Sequence, residues 1–270
     1  MQNFKQAIVT HGGAGSNPKN SDETDAAANV GMDVMGKGAS ALAAVVQAVK
    51  YLEDDQRFNA GTGSHLRADG KTVQMDASCM TSDGKFGAVA CLEGIINPIG
   101  VAHTILRHSS HILLVGDGAR SFATEHNLPQ AVFGRPVTRK TDHGKSPPSC
   151  DTVGAVAFDG TMFAAALSTG GLKRAAIGRV GDVPLPGCGL FCGPAGAVAC
   201  TGDGESIALK ILAKEVYGWL EQKMSPDEAA HKAMRLFDSS VDVGLIVLTG
   251  NDFSSISRNG MAWSHLTEVA

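Results

Sequence analysis

The chain has 270 residues, 43% hydrophobic, 19% charged and 5% aromatic, with a net charge of −4 at neutral pH. At roughly 150 residues per domain there is room for one large or two small domains, and the mildly acidic balance argues against nucleic acid or an anionic membrane as main partner. The opening MQNFKQAIVTHGG has no apolar signal core, and no later run approaches the roughly 18 apolar residues of a membrane span, so a cytoplasmic protein is expected.

Residues 6–10 (QAIVT) read as a buried strand that ends in the glycine loop HGGAG. From Asp22 to Asp55 an alanine-rich helical period is broken at GKG (36–38), which predicts two helices. TVQMDASCM and FGAVACLEG have strand character on either side of the turn TSDG. A helix from near Pro98, the strand ILLVG and a short helix from about Asp117 follow. GRPVTRKTDHGKSPPSC, Gly134 to Cys150, is polar and basic, holds three prolines and lacks any period, so it reads as an exposed linker. Beyond it TVGAVAF, MFAAALST and GAVAC are strands, and GDGESIALKILAKEVYGWLEQK is one long amphipathic helix. Ser225 and Glu228 around Pro226 make a capping-box start, and VGLIVLTG is the final buried strand.

Two runs of strands, each with paired helices, predict stacked layers of helix and sheet. The small, alanine-rich strand faces suit sheets packed on one another. One domain with an internal exposed loop and two domains fit these patterns equally well.

Several chemistries fall away. His103, His108 and His111 cluster in HTILRHSSH, but the five-residue step between the first two is a poor match to one helical face, and no carboxylate or cysteine lies in the run. Cys188 and Cys192 lack a second pair at zinc spacing. The six cysteines sit mostly in apolar settings and read as reduced thiols. HGGAG and VGDGAR miss the spacing of a dinucleotide loop, and no G-x-S-x-G elbow is present. What remains is a series of hydroxyl, glycine and charge motifs: CDTVGA, LSTGG, GRVGD and TGDGE. Each is weak alone, and their order and spacing carry the weight.

In that order, together with HGGAG, LEDDQRFNAGTG, MDAS and GAVACLEGIINPI, the chain resembles the plant-type asparaginase and isoaspartyl peptidase family of N-terminal-nucleophile hydrolases. The resemblance covers nearly the whole chain. It implies an α+β fold, a four-layer αββα sandwich whose mostly antiparallel sheets pack face to face between helical layers. It also implies a single domain over 1–270, cut between Asp151 and Thr152 into 1–151, with 134–151 a flexible tail, and 152–270. The physical logic agrees. A threonine hydroxyl needs a base to become a nucleophile, and a new α-amine, with a pKa of about 7.7–8.0, suits that task at neutral pH.

By the same resemblance, Thr152 is the nucleophile and Thr169 orients it. Arg179 clamps the substrate α-carboxylate, for which a planar guanidinium is suited, and Asp182 and the Gly204 carbonyl take the α-ammonium. Thr201 and Gly202 form the oxyanion hole. Asn59 stands beside the nucleophile, and Gly12 and Gly13 form a processing loop. A structural sodium ion bound through the backbone carbonyls of Leu52, Glu53, Phe58 and Ala60 is implied, with no other cofactor. The implied substrates are L-asparagine and β-aspartyl dipeptides, and the implied assembly is a homodimer of cleaved units. A glycosylasparaginase-like or other ω-amide hydrolase, and an unprocessed amino-acid-binding homologue, are the alternatives. Cys150, Val183, the Cys188–Cys192 stretch and the short FDGTMF turn depart from the family pattern.

Overall fold

The computed structural model describes residues 2–131 and 152–270. In chain order these form β1 (Phe4–Ala14), α1 (Ser21–Gly36), α2 (Ala41–Glu53), β2 (Met75–Thr81), β3 (Phe86–Leu92), α3 (Pro98–His108), β4 (Leu113–Val115) and α4 (Gly116–Glu125). After the break come β5 (Val153–Phe158), β6 (Phe163–Thr169), β7 (Leu190–Gly193), β8 (Gly196–Gly202), α5 (Gly204–Lys210), α6 (Leu212–Glu221), α7 (Pro226–Met234), β9 (Val243–Leu248), β10 (Phe253–Ser257) and β11 (Met261–Val269). The linker, Cys150 and Asp151 lie outside the described residues.

Local chemistry accounts for several boundaries. Ser40 caps α2 by accepting from the Ala43 N–H. Ser225 and Glu228 form the expected reciprocal capping box at α7, with Pro226 opening the helix. The break between α1 and α2 falls at the predicted GKG.

A seven-stranded sheet runs β11-β1-β5-β6-β2-β3-β4, and a four-stranded sheet runs β10-β9-β8-β7. All pairings between these strands are antiparallel except β3 with β4. Three buried clusters separate the layers. Ile8, Val45, Val49, Leu52, Val89 and Ile99 join the first helices to one face of the large sheet. Val9, Val156, Leu167, Leu190, Ala199 and Ile246 fill the space between the two sheets. Val198, Val216, Trp219, Leu220, Ala230 and Val247 join the small sheet to α6 and α7. Alternate residues of one strand feed different clusters, as Ile8 and Val9 do, which is the period-two signature of a strand buried on both faces. The result is the expected αββα sandwich.

Three sequence expectations are corrected. HGGAG is not a loop at its start: β1 continues through Ala14, with a register shift against β11 between His11 and Ala14 and Gly13 at φ +100°. The long helix is two helices, α5 and α6, parted at Ile211, which sits at φ 48° and ψ 47°. There the Ala213 and Lys214 N–H groups donate to the Cys188 and Gly187 carbonyls, so the new helix is capped by a neighbouring turn. VGLIVLTG is not the last strand, since β10 and β11 follow it.

Candidate active site

The register of β5 determines where Thr152 lies. Val153 pairs with Ser168 of β6 and Gly154 with His11 of β1. Antiparallel pairing then sets Thr152 beside Thr169, at the end of a strand flanked on both sides. Both threonines are buried, 5% exposed each, and both line one cleft. Gly171, Leu172, Arg179, Gly181, Asp182, Gly202 and Gly204 complete its lining. The structure thus brings together six of the residues singled out above: Thr152, Thr169, Arg179, Asp182, Gly202 and Gly204.

The charged residues of the lining are Arg179 and Asp182. Arg179 donates from Nε to Glu205 Oε1 at 2.8 Å and from Nη2 to Glu205 Oε2 at 2.5 Å. This two-point grip orients the guanidinium beside the buried Asp182. Burial pushes the Asp182 carboxyl up to about 7, against the pull of the nearby Arg179. Asp76 of β2, also fully buried, accepts from the Cys91 N–H at 2.8 Å and is pushed up to about 6 by burial. Glu205 and Asp76 were not singled out, although they belong to the TGDGE and MDAS motifs.

The remaining residues surround the cleft. Gly202, at φ +129°, leaves no room for a side chain, because a Cβ would run into the Asp242 carbonyl. Thr201 is fully buried, and its hydroxyl accepts the Ala14 N–H at 3.0 Å, tying the end of β1 to the end of β8. Gly12 packs against the Phe58 ring. Asn59 stands behind the cleft rather than in its lining: Nδ2 donates to the Gly171 carbonyl at 2.7 Å and Oδ1 accepts the His65 N–H at 3.0 Å. The Gly171 N–H donates in turn to Thr169 Oγ1 at 3.0 Å. His11 is wholly buried and interacts with the Thr152 backbone, and burial pushes its imidazole down to about 3, so the ring is neutral.

The loop after α2 curls on itself. The Glu53 carbonyl accepts from Thr62 Oγ1, the Ala60 carbonyl from the Gly63 N–H, and the Leu52 carbonyl from the Asp55 N–H, while Phe58 O lies against Gly63. The Leu52 carbonyl also accepts the Asp54 N–H, while those of Glu53, Phe58 and Ala60 each keep a lone pair, oxygen donors of the type that a hard cation such as sodium takes. Among the described residues no group of three or more His, Cys, Asp and Glu could hold a metal. His108 and His111 are exposed, and Cys188 and Cys192 are buried and free. Val183 lies in the core between the sheets, its carbonyl accepting from the Ser78 hydroxyl at 2.5 Å. No helix among the described residues is long and apolar enough to cross a membrane.

Two face-to-face, mostly antiparallel sheets thus lie between helical layers in an αββα sandwich, with a threonine-lined cleft at the start of the central strand β5. A family model described as asparaginase matches residues 4–138 and 130–268. The chain is 39% identical to an isoaspartyl peptidase/L-asparaginase of Xenopus laevis, over 97% of this chain and 92% of that protein. It is 38% identical to the human protein of that name, over 95% of this chain and 92% of that one. To a plant-type L-asparaginase of Pyrococcus furiosus it is 36% identical, over 94% and 93%. The chain belongs to the asparaginase family of hydrolases.

Proposed function

We propose that the chain hydrolyses the side-chain amide of L-asparagine and the isopeptide bond of β-aspartyl dipeptides through an acyl-enzyme on Thr152. The observation that carries this reading is the shared cleft, which Thr152 and Thr169 line together with Arg179 and Asp182. Arg179 takes the α-carboxylate and Asp182 and the Gly204 carbonyl take the α-ammonium, which leaves the β-carbonyl carbon for Thr152. The amine of Thr152, freed by a cut after Asp151, removes the hydroxyl proton as Oγ1 attacks. Thr201 and Gly202 stabilise the oxyanion, and the amine returns the proton to the leaving ammonia or amino acid. Water then attacks the ester, releasing L-aspartate and regenerating the hydroxyl.

The same hydroxyl makes the cut: it attacks the Asp151 carbonyl in an N-to-O acyl shift, and water opens the ester. Gly12 and Gly13 border this event at the bulged end of β1. A sodium ion at the carbonyls of Leu52, Glu53, Phe58 and Ala60 would stiffen the loop that carries Asn59. A homodimer in the cytoplasm completes the proposal, and the five free buried cysteines support a reducing compartment.

The test is a denaturing gel combined with ammonia and aspartate release. The wild type should give two bands, the smaller beginning at Thr152. Thr152→Ala should give one band and lose activity by at least about 10³-fold, the scale of losing a catalytic nucleophile. An uncut Thr152→Ala protein that still hydrolyses asparagine would falsify the assignment.

A further inference from the structure

Arg67 is fully buried, and its Nε–H and Nη1–H groups have no hydrogen-bond partner among the described residues. Nη2 donates to the Gln74 carbonyl at 2.9 Å. Buried donors are paired in nearly all folded proteins, so an unmet guanidinium calls for an explanation. Asp76 is near enough to interact electrostatically, yet among the described residues Arg67 forms no ion pair within 4.0 Å.

The guanidinium lies against Gly171. A Cβ at that position would come within 2.8 Å of Nη1 and 3.3 Å of Cζ and Nη2. Gly171 also lines the cleft, so a partition one peptide thick separates the cation from the bound substrate. The polar groups of that peptide are already engaged, its N–H by Thr169 and its carbonyl by Asn59. No group of the partition itself is charged; Asp76 and Glu93 offset part of the Arg67 charge and Arg179 adds a second cation nearby, and a wall without water screens these charges little.

The position of Gly171 decides what the charge acts on. With the amino-acid end of the substrate assigned to Arg179 and Asp182 and its carbonyl carbon to Thr152, Gly171 and Leu172 are the lining residues left without a role, and we assign them to the leaving group. The leaving group from asparagine is uncharged ammonia, whereas that from a β-aspartyl dipeptide is an amino acid with its own carboxylate. We propose that Arg67 is a specificity-determining residue that favours leaving groups bearing a carboxylate, and so turns the site towards β-aspartyl dipeptides. This rests on the reading of the site given under Proposed function.

The experiment compares β-aspartyl-leucine with β-aspartyl-leucinamide, which differ only in the leaving-group carboxylate. The wild type should prefer the acid by about tenfold or more in kcat/KM. The preference should persist in Arg67→Lys and collapse towards unity in Arg67→Gln. Because the readout is a ratio, a general loss of activity cancels from it. A wild type that treats the two alike overturns the proposal without any variant, and so does an undiminished ratio in a folded Arg67→Gln protein. An enclosed water that merely satisfies the guanidinium would produce those same outcomes. No turnover of either dipeptide, or of asparagine, by the wild type overturns the hydrolase reading itself.

Discussion

Asp182 joins two demands that pull against each other. It is buried where a carboxylate is costly, and its proposed partner is an ammonium that needs the negative form. Because burial pushes its carboxyl up to about 7, the group is largely protonated in mildly acidic solution until a cation arrives. Binding of L-aspartate to the intact enzyme should therefore weaken by about tenfold for each pH unit below 7. Succinate, which lacks the ammonium, should not show that dependence. Titration calorimetry from pH 5.5 to 8 checks this, and equal pH profiles for the two ligands would remove Asp182 from the ammonium site. Arg179→Lys should raise KM more than it lowers kcat, since a point charge cannot reproduce a two-point grip and Lys also loses the hold of Glu205.

At the scale of elements, Ile211 carries the most testable strain. It is 52% exposed and left-handed, a conformation that disfavours β-branched side chains. Ile211→Gly should raise stability by about 1 kcal/mol, seen as a higher urea midpoint with unchanged slope. The sequence hides this break because no glycine or proline marks it; it depends on the carbonyls of Gly187 and Cys188, distant in the chain. The α1–α2 break and the α7 cap were legible because GKG and Ser-Pro-x-Glu act locally. β11 escaped notice as a polar edge strand that, among the described strands, pairs with β1 alone. In the site, residues on sharp motifs were legible by number. Arg67 was not, since nothing local in LRADGK says that its guanidinium will lie behind Gly171.

The whole molecule holds another buried acid at the join of its first layers. Glu53 ends α2, and its Oε1 accepts the Ile99 N–H at the start of α3, with burial pushing the carboxyl from 4.5 up to about 8. The folded chain keeps this proton while the unfolded chain releases it above pH 4.5. The contribution is therefore full below that value and is lost as pH rises towards 8, by about 1.4 kcal/mol per unit. Glu53→Gln keeps the acceptor and drops the titration. Urea unfolding at pH 5.5 and pH 8 should show the wild type losing ground to the variant at the higher pH; a constant difference sinks the idea.

The strand order β11-β1-β5-β6-β2-β3-β4 draws on both sides of residue 151: β1, β2, β3 and β4 come from before it, and β5, β6 and β11 from after. A nick at that point therefore frees no piece. Parting the fragments would strip β1 from both of its neighbours and β6 from β2, exposing bare backbone in the middle of the sheet. Nicking converts one covalent chain into a two-chain complex whose association is its folding. Its melting point should then depend on protein concentration, whereas that of the uncut chain should not.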